Sequence, residues 1–369
     1  MLREPQHGRK INDINSPPFV LSIVEGLREG FSATCQRKRP GWNRFLRCAF
    51  TVAATVFLLL GRCPTQANEN IVVAYSGVSG FQGPLWAFSE LKLFPKYNLN
   101  PEIVLIAGGT QSMQALLSNY THFALASATP PLSVGLQGGA VVIIGAALNK
   151  FPFSLVTQKG IDHPSKLAGK RIGIVNFGGS NELAAVLALK EWGIPRQAVT
   201  LIRSGDTASR LIALANRSLD ATFLSMPFTI EAQKLGLNVL AHLGDMQAAF
   251  PMTVVAVNRG FLQKKRGVVK QFMAGYSEAI YRLMQSKEAG ISIYKKYLKQ
   301  QDAKILEATY DDIAGKFSFP PRVNRQGLRN AAELVSKDGM GALNLSQFVD
   351  ETVIDELERE GFFESLKKK

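Results

Sequence analysis

Cysteine is missing from most of this chain. Its three cysteines, Cys35, Cys48 and Cys63, all lie within the first 67 residues. Residues 68–369 therefore contain no possible disulfide, no thiolate nucleophile and no cysteine-ligated metal. Histidine is almost as scarce there, and none of the three is in a His-Glu-x-x-His or His-x-His pattern: His122, His163 and His242. We predict no metal and no cofactor.

Common catalytic and nucleotide-binding motifs are also missing. The sequence has no Gly-x-Ser-x-Gly elbow, no Gly-x-x-x-x-Gly-Lys-Ser/Thr phosphate loop and no complete dinucleotide fingerprint. Paired acids such as Asp311-Asp312 fall within helix or loop patterns without a partner. We predict that the protein is not an enzyme and has no catalytic residues, although missing motifs alone leave an enzyme open.

The charge of the chain is basic but dispersed. Residues 68–369 hold 33 Lys and Arg against 25 Asp and Glu, a formal net charge of +8. Such an excess suits an anionic ligand, an acidic membrane surface or nucleic acid. Since no block of Lys and Arg is interleaved with aromatic residues, we predict no nucleic-acid partner.

The leading segment has the order of an export signal. Residues 48–61 form an uncharged apolar run of 14 residues, preceded by five Lys and Arg residues and followed by small residues up to Ala67. The run is short for a permanent anchor. We predict cleavage after Ala67 and a periplasmic protein. An uncleaved anchor, a buried helix and a lipoprotein at Cys63 are the alternatives, and Arg62 argues against the last.

Beyond the leader, short β-branched runs alternate with helical patterns, which is typical of parallel α/β architecture. Strands are predicted at 71–75, 102–106, 122–126, 141–144, 170–175, 199–202, 221–224, 238–241 and 252–257. Helices are predicted to begin near Gly108, Gly178 and Asp206, the last with an aspartate cap. After residue 259 the pattern is almost entirely helical.

This order predicts two doubly wound α/β lobes joined by two hinge crossovers. The predicted divisions are a leader at 1–67, the first part of lobe 1 at 68–156, lobe 2 at 157–251, and a return to lobe 1 with C-terminal helices at 252–369. The candidate hinges are residues 155–157 and 252–254. We predict a monomer.

Three turns rich in Gly, Ser and Thr follow predicted strands, where open α/β sheets bind ligands: 76–80, 108–110 and 178–180. The last two begin helices, whose free N–H groups and positive dipole ends attract anions. Each turn alone carries little information, because Gly, Ser and Thr are common in turns and at helix caps for structural reasons. Their recurrence in both units favours a shared cleft for a small-molecule ligand.

Aromatic and polar side chains flank these turns. Trp86 and Phe177 are candidates to contact a planar or apolar ligand, although Trp86 also suits a core position. Gln82 and Asn181 offer hydrogen bonds. Glu182 either favours a ligand with an amine or complements the dipole of its own helix.

Several segments resemble the periplasmic solute-binding proteins of ABC importers, a family that includes aliphatic sulfonate, taurine, nitrate and thiamine-pyrimidine-precursor binders. The matching text is Ala-Gly-Gly-Thr-Gln-Ser-Met-Gln-Ala-Leu at 107–116, Pro-Ser-Lys-Leu-Ala-Gly-Lys-Arg-Ile-Gly-Ile at 164–174, Ala-Leu-Ala-Asn-Arg-Ser-Leu-Asp-Ala at 213–221, Ser-Met-Pro at 225–227 and Val-Val-Ala-Val-Asn-Arg-Gly-Phe-Leu at 254–262. The resemblance covers nearly all of residues 70–363.

The resemblance implies the type II periplasmic-binding fold, an ABC permease in the inner membrane as partner, and a ligand-binding set. With the flanking side chains above, the predicted ligand-binding residues are Ser76, Gly77, Gln82, Trp86, Gly109, Thr110, Thr129, Phe177, Gly179, Ser180, Asn181, Ser225 and Pro227. The family's usual Gly-x-x-Asp-Phe/Ala turn is replaced by Asn119-Tyr-Thr-His-Phe123, which weakens the local match.

The predicted function is the capture of a small organic or oxyanion solute, such as a sulfonate, a nitrate-like anion or a pyrimidine or other nitrogenous compound. Fungal relatives that synthesise pyrimidines carry a cysteine-rich iron motif, which a segment without cysteine cannot supply. An enzyme on the same fold and a sensing module for a signalling partner remain as alternatives.

Overall fold

The computed structural model describes residues 68–245, 249–336 and 344–368. The predicted export signal and its cleavage position lie outside the described residues. Within the described ranges the chain forms two five-stranded sheets flanked by helices.

The chain runs through one α/β unit, a second, and a helical return. The first unit contains β1 (Glu69–Tyr75), α1 (Gly83–Glu90), α2 (Leu93–Lys96), β2 (Leu99–Leu105), α3 (Gly109–Leu117), β3 (Phe123–Ala126), α4 (Thr129–Leu136) and β4 (Val141–Leu148). The second contains β5 (Ser154–Thr157), β6 (Arg171–Ile174), α5 (Ser180–Glu191), β7 (Thr200–Arg203), α6 (Thr207–Ala215), β8 (Ala221–Leu224), α7 (Phe228–Lys234) and β9 (Asn238–His242).

The return begins with a strand and continues as helices. It contains β10 (Thr253–Asn258), α8 (Arg259–Lys264), α9 (Arg266–Gln285), α10 (Lys287–Tyr297), α11 (Ala303–Ile313), α12 (Arg325–Val335), α13 (Thr352–Arg359) and α14 (Phe362–Lys367).

The two sheets have the same strand order, with one inserted antiparallel strand each. The first sheet has the order β2-β1-β3-β10-β4, and the second has the order β7-β6-β8-β5-β9. In the first, β10 is antiparallel to β3 and β4, while in the second β5 is antiparallel to β8 and β9. The predicted parallel architecture therefore needs a correction, because each sheet is mixed. The two-lobed α/β fold itself is confirmed.

The predicted hinge positions are displaced, and of their residues only Met252 lies in a connection between the sheets. Residues 155–157 lie inside β5, where they pair with strands on both sides, and Thr253 and Val254 lie inside β10. The chain crosses between the sheets from β4 to β5 at 149–153, and again from β9 to β10, where the described residues are 243–245 and 249–252. Each crossing chain enters the new sheet at once as its fourth strand, which explains why its apolar β-branched residues are buried rather than exposed at a hinge.

The two crossovers pack against each other. The rings of Phe151 and Phe250 are stacked with their centroids 4.4 Å apart. The backbone N–H of Phe250 donates to the carbonyl of Asn149, and that of Met252 donates to Leu148. The lobes are therefore connected by a paired, aromatic-lined segment.

Local sequence explains how the helices beside the cleft begin. Asp206 caps α6 as predicted, since its Oδ1 accepts the backbone N–H of Ser209 at 2.8 Å. Gly108 precedes α3 with a φ of +88°, a left-handed conformation that glycine adopts without a Cβ penalty.

The core of lobe 1 is aromatic. Phe272 on α9 stacks on Phe123 of β3 at 3.9 Å and also contacts Phe88 and Tyr276. Helices α9 and α1 approach closely at Gly275, where an added Cβ would lie 2.4 Å from the Phe88 ring. Stacked rings and this close approach fix the returning helices onto the first sheet.

Within residues 68–245, 249–336 and 344–368, none of the helices has the length and apolar character needed to cross a lipid bilayer.

Candidate functional site

A cavity of about 140 Å³ lies where the strand ends of both sheets meet. Residues that follow β1, β2 and β3 line it from the first lobe, and residues that follow β6 and β7 line it from the second. These are the carboxyl ends of parallel strands, which is the usual ligand position in open α/β sheets. The crossovers contribute Phe153 and Met252 to its wall.

Three helices point their N-termini at this cavity. Gly109 and Thr110 begin α3, Ser180 and Asn181 begin α5, and Thr207 begins α6. The first N–H groups of a helix lack partners within the helix, and its dipole is positive at this end. The wall therefore favours negative charge from both lobes.

Among the lining residues, only Asp206 and Arg210 are charged. The backbone and side-chain hydrogen bonds from Ser209 hold the pKa of Asp206 below its usual range, so its carboxylate is ionised and committed to the helix cap. Arg210 is buried, and burial lowers its pKa to about 10, an effect opposed by the charge of Asp206. A pKa of about 10 leaves the guanidinium charged at neutral pH.

Apolar side chains cover much of the remaining wall. They come from both lobes and from the crossovers: Val78, Phe81, Leu105, Phe153, Val175, Phe228 and Met252. Phe81 and Phe153 meet edge to face with centroids 6.5 Å apart. The cavity thus combines helix N-termini and one cation with a largely apolar surface, a mixture typical of small-molecule sites.

The two lobes contact each other directly beside the cavity. The hydroxyls of Ser79 and Ser225 are 2.6 Å apart, and the Ser79 hydroxyl also donates to the carbonyl of Met226 at 2.9 Å. At another place Asn176 Nδ2 donates to Gln111 Oε1 at 3.4 Å. This arrangement is a cleft with its two walls held together.

The structure brings seven of the thirteen predicted ligand residues into the cavity wall. They are the turn residues and helix starts: Ser76, Gly77, Gly109, Thr110, Gly179, Ser180 and Asn181. All three predicted Gly/Ser/Thr turns contribute to this one wall.

The other six predicted residues lie elsewhere. Phe177 is 55% exposed and outside the wall. The rest are buried away from the wall: Gln82, Trp86, Thr129, Ser225 and Pro227.

Packing explains where the buried ones lie. Trp86 stacks on Tyr297 at 5.1 Å, so the core alternative describes its position. Thr129 is 3.3 Å from the hydroxyl of Ser127, and Ser225 bonds Ser79 between the lobes.

Glu182 serves its own helix. Its Oε2 accepts the backbone N–H of Gly178 at 2.6 Å, a bond similar to half of a capping box. Glu182 is not among the residues that line the cavity. Of the two roles predicted for it, the geometry supports the helix start, and the wall has no free carboxylate at this position for a ligand amine.

Sequence reasoning missed several lining residues, above all Arg210, Phe153 and Met252. Arginine is mostly exposed in folded proteins, so only its burial distinguishes Arg210. Phe153 and Met252 belong to the crossovers, and the sequence predicted a hinge but no ligand contact for Met252. The apolar residues on either side of each crossover were the sequence feature that could have indicated these two lining residues.

This architecture, two similar lobes with a ligand-sized cleft at their strand ends, is that of the periplasmic binding proteins. The pattern of the NMT1/THI5-like family matches residues 87–289, more than half of the chain, and the chain belongs to that family. The predicted family is thereby confirmed.

Named relatives are consistent with this class. YtlA of Bacillus subtilis (strain 168), whose name describes it provisionally as a binding protein, is 24% identical over 293 residues, covering 76% of this chain and 86% of that protein. The structure of the periplasmic aliphatic sulphonate binding protein SsuA from Escherichia coli is 18% identical with a TM-score of 0.63, covering 76% of this chain and 92% of that one.

A third relative has a different named ligand. The periplasmic nitrate-binding protein NrtA from Synechocystis PCC 6803 is 12% identical with a TM-score of 0.62, covering 80% of this chain and 89% of that one. At these identities the solved structures establish the fold and leave the ligand of this chain undetermined.

Proposed function

We propose that this protein captures a small organic or oxyanion solute outside the cytoplasm and delivers it to the permease of an ABC importer. The observation that carries the proposal is the cavity between the lobes, to which both sheets contribute strand ends and helix N-termini. The ligand-binding set is the lining group of predicted residues together with Arg210, Phe153 and Met252.

The mechanism follows from a wall divided between two lobes. A ligand held by the turn after β1 and the start of α3 also meets the starts of α5 and α6 only when the lobes are together. Contacts made in one state alone provide the differential affinity that shifts an open–closed equilibrium. The paired crossovers at 149–153 and 249–252 are the segments about which the lobes would move.

The residues of this site support ligand binding rather than catalysis. The residues lining the cavity include no histidine, no cysteine and one carboxylate, Asp206, which caps a helix. In the part of the chain that the structure describes, no group of three or more His, Cys, Asp or Glu side chains is arranged to hold a metal. The relatives SsuA and NrtA are named as binding proteins.

The test of capture begins with native mass spectrometry of protein purified without denaturation, which identifies a retained compound. Adding that compound to stripped protein should reduce the radius of gyration in solution scattering, because the lobes close. It should also raise the melting temperature, because ligand at a concentration of 100 Kd adds about 2.7 kcal/mol to the free energy of unfolding. Recovered compound should be chemically unchanged. Turnover into a new species, or tight binding without compaction, would count against a transport receptor.

Export is tested separately by N-terminal sequencing of the protein from the periplasmic fraction. We expect the mature chain to begin at Asn68, directly after the small residues that end at Ala67. A lipid-modified N-terminus at Cys63, or an intact leader in the membrane fraction, would reject the soluble exported form.

A further inference from the structure

Lobe 2 contacts lobe 1 through the turn that precedes α7. The Ser79 hydroxyl donates to the carbonyl of Met226 at 2.9 Å, and the backbone N–H of Gly80 donates to the same carbonyl at 3.3 Å. Since a hydroxyl has one proton, Ser225 is the donor in its 2.6 Å contact with Ser79. Both serines are buried. Separating the lobes at this turn therefore breaks all of these hydrogen bonds and uncovers their polar groups.

The lobe 1 side of this contact is held in place by the returning helices. The carbonyl of Gly80 accepts the hydroxyl of Tyr294 at 2.9 Å, and Tyr294 is fully buried on α10. A Cβ at Gly80 would lie 3.0 Å from the side chain of Thr309 on α11. The turn after β1 therefore presents the same donors to Met226 whenever the lobes come together.

A second group of inter-lobe contacts lies further along α7. Glu231 and Lys234 are three residues apart, so they share one face of that helix. Gln300 Nε2 donates to Glu231 Oε1 at 3.3 Å, and Lys234 Nζ lies 2.9 Å from Asp302 Oδ2. Both lobe 1 partners belong to the connection between α10 and α11. Helix α7 therefore contacts lobe 1 at the turn before it and along one of its faces.

Lobe 1 orients the second pair of partners through its own backbone. Gln300 Oε1 accepts the backbone N–H groups of Gln301 and Asp302 at 2.8 and 2.9 Å, which leaves Nε2 of the same amide for Glu231. Asp302 Oδ1 caps α11 and leaves Oδ2 for Lys234. Side chains that are already held lose little conformational freedom on contact, so these contacts form at a reduced entropic cost.

Most of these residues lie outside the ligand cavity, yet the helix that carries them reaches it. Five are not among the lining residues: Ser225, Glu231, Lys234, Gln300 and Asp302. Phe228, the first residue of α7, does line the cavity. A movement of α7 away from lobe 1 therefore breaks the inter-lobe contacts and moves part of the cavity wall at the same time.

We infer that these contacts form an inter-lobe clasp, which stabilises the closed arrangement from outside the ligand site and slows the release of a bound solute. The clasp is defined by the side chains of Ser79, Ser225, Glu231, Lys234, Gln300 and Asp302 and by the carbonyl of Met226. Contacts present only in the closed state raise its population, and a solute that binds that state gains affinity by the same factor.

All contacts of the clasp join protein groups, so the clasp also forms in protein without solute and keeps part of that population closed. The inference rests on the proposed function, which is capture by closure. It adds residues that set the affinity for the solute from outside the cavity wall.

The test uses variants that change one contact while keeping side-chain shape. Gln300→Glu retains an oxygen for the backbone N–H groups of residues 301 and 302 and places a second carboxylate opposite Glu231. The reversed pair, Gln300→Glu with Glu231→Gln, restores a hydrogen bond with its donor on lobe 2. Ser225→Ala removes the donor at the turn. The matched control is Gln326→Glu, at an exposed position whose hydrogen bonds stay within α12.

Hydrogen exchange at the Gly80 amide, followed by mass spectrometry in stripped protein, measures opening because this N–H is bonded across the lobes to Met226. We expect roughly fivefold faster exchange in Ser225→Ala, the value of one net hydrogen bond. Exchange should be about tenfold faster in Gln300→Glu, where like-charge repulsion replaces a hydrogen bond. The reversed pair should return to the parent rate, and Gln326→Glu should match the parent throughout.

Two further measurements separate opening from a general loss of stability and connect it to capture. Amides inside β3 and β8 should exchange as in the parent, since the sheets of both lobes stay folded when the clasp opens. The compound identified by native mass spectrometry should leave Gln300→Glu roughly tenfold faster than it leaves Gln326→Glu. The reversed pair should restore slow release.

Three results would overturn the inference: a Gly80 amide that is unprotected in the parent, equal exchange in Gln300→Glu and Gln326→Glu, or a reversed pair as open as the single variant. The outcome is separable from that of the proposed function. If exchange follows the clasp variants but the parent does not compact on binding the compound, the clasp stands and the transport receptor is rejected. If the compound compacts the parent but the clasp variants match the control, the reverse holds.

Discussion

Replacing Phe272 with alanine should lower the free energy of unfolding by about 3–5 kcal/mol, the usual cost of emptying a buried phenylalanine site. Phe272 is fully buried and stacks on Phe123 at 3.9 Å, with Phe88 and Tyr276 on its other sides. These rings belong to the first sheet, to α1 and to α9 itself, so none of them can fill the space without moving a whole element. Urea titration should show the loss, and the melting temperature should fall by roughly 10 °C.

The matched control for this prediction is Phe177→Ala. It removes the same side chain at a position that is 55% exposed, so it should change stability by less than about 0.5 kcal/mol. A loss below about 1 kcal/mol at Phe272 would mean that the aromatic cluster is not the core that holds the returning helices to lobe 1. The same control variant reports on ligand binding, because Phe177 was predicted from sequence to contact the ligand.

Much of this fold could be read from alternating patterns. Each predicted strand overlaps an observed strand, and the helices predicted near Gly108, Gly178 and Asp206 begin at 109, 180 and 207. These elements are short, strongly β-branched or capped by a side chain, so local sequence determines them. The strand order was not determined in this way, because β5 and β10 pair with strands that are distant in sequence: β5 with β8 and β9, and β10 with β3 and β4.

The residues of the candidate site were likewise predictable only where local sequence determines their position. Turn residues such as Gly109 and Gly179 were predicted because a glycine at a helix start after a strand has a position that local sequence defines. Trp86 was predicted either to contact the ligand or to lie in the core, and it lies in the core, whereas Arg210, which no pattern indicated, lines the cleft. Burial at these positions depends on which helices pack together, which no local pattern encodes.

The glycines of the two helix starts also have different reasons for being small. A Cβ at Gly109 would lie 2.4 Å from the ring of Pro130, so this glycine permits helices α3 and α4 to approach. At Gly179 the nearest atom would be the carbonyl oxygen of Asn176 at 3.2 Å, and its φ of −100° is open to any residue. A substitution at Gly179 therefore tests ligand binding without disturbing helix packing, whereas a substitution at Gly109 affects both.

Gly179→Val should weaken binding of the retained compound by about a hundredfold, or about 2.8 kcal/mol. The added isopropyl group would stand at the start of α5, between the ligand and the first N–H groups of that helix. Valine is a poorer N-cap than glycine, so a loss of stability of about 1 kcal/mol is expected and no more. Titration calorimetry measures the first quantity and urea unfolding the second.

Two further variants decide what the result means. Gly267→Val makes the same substitution at an exposed position with no atom within 4 Å of its new Cβ, and it should bind like the parent protein. Gly109→Val should lose stability through the Pro130 contact, so weak binding by that variant carries no information on the ligand. If Gly179→Val bound the compound as tightly as Gly267→Val does, the ligand would not approach the start of α5, and the site would have to be sought between lobe 1 and the start of α6.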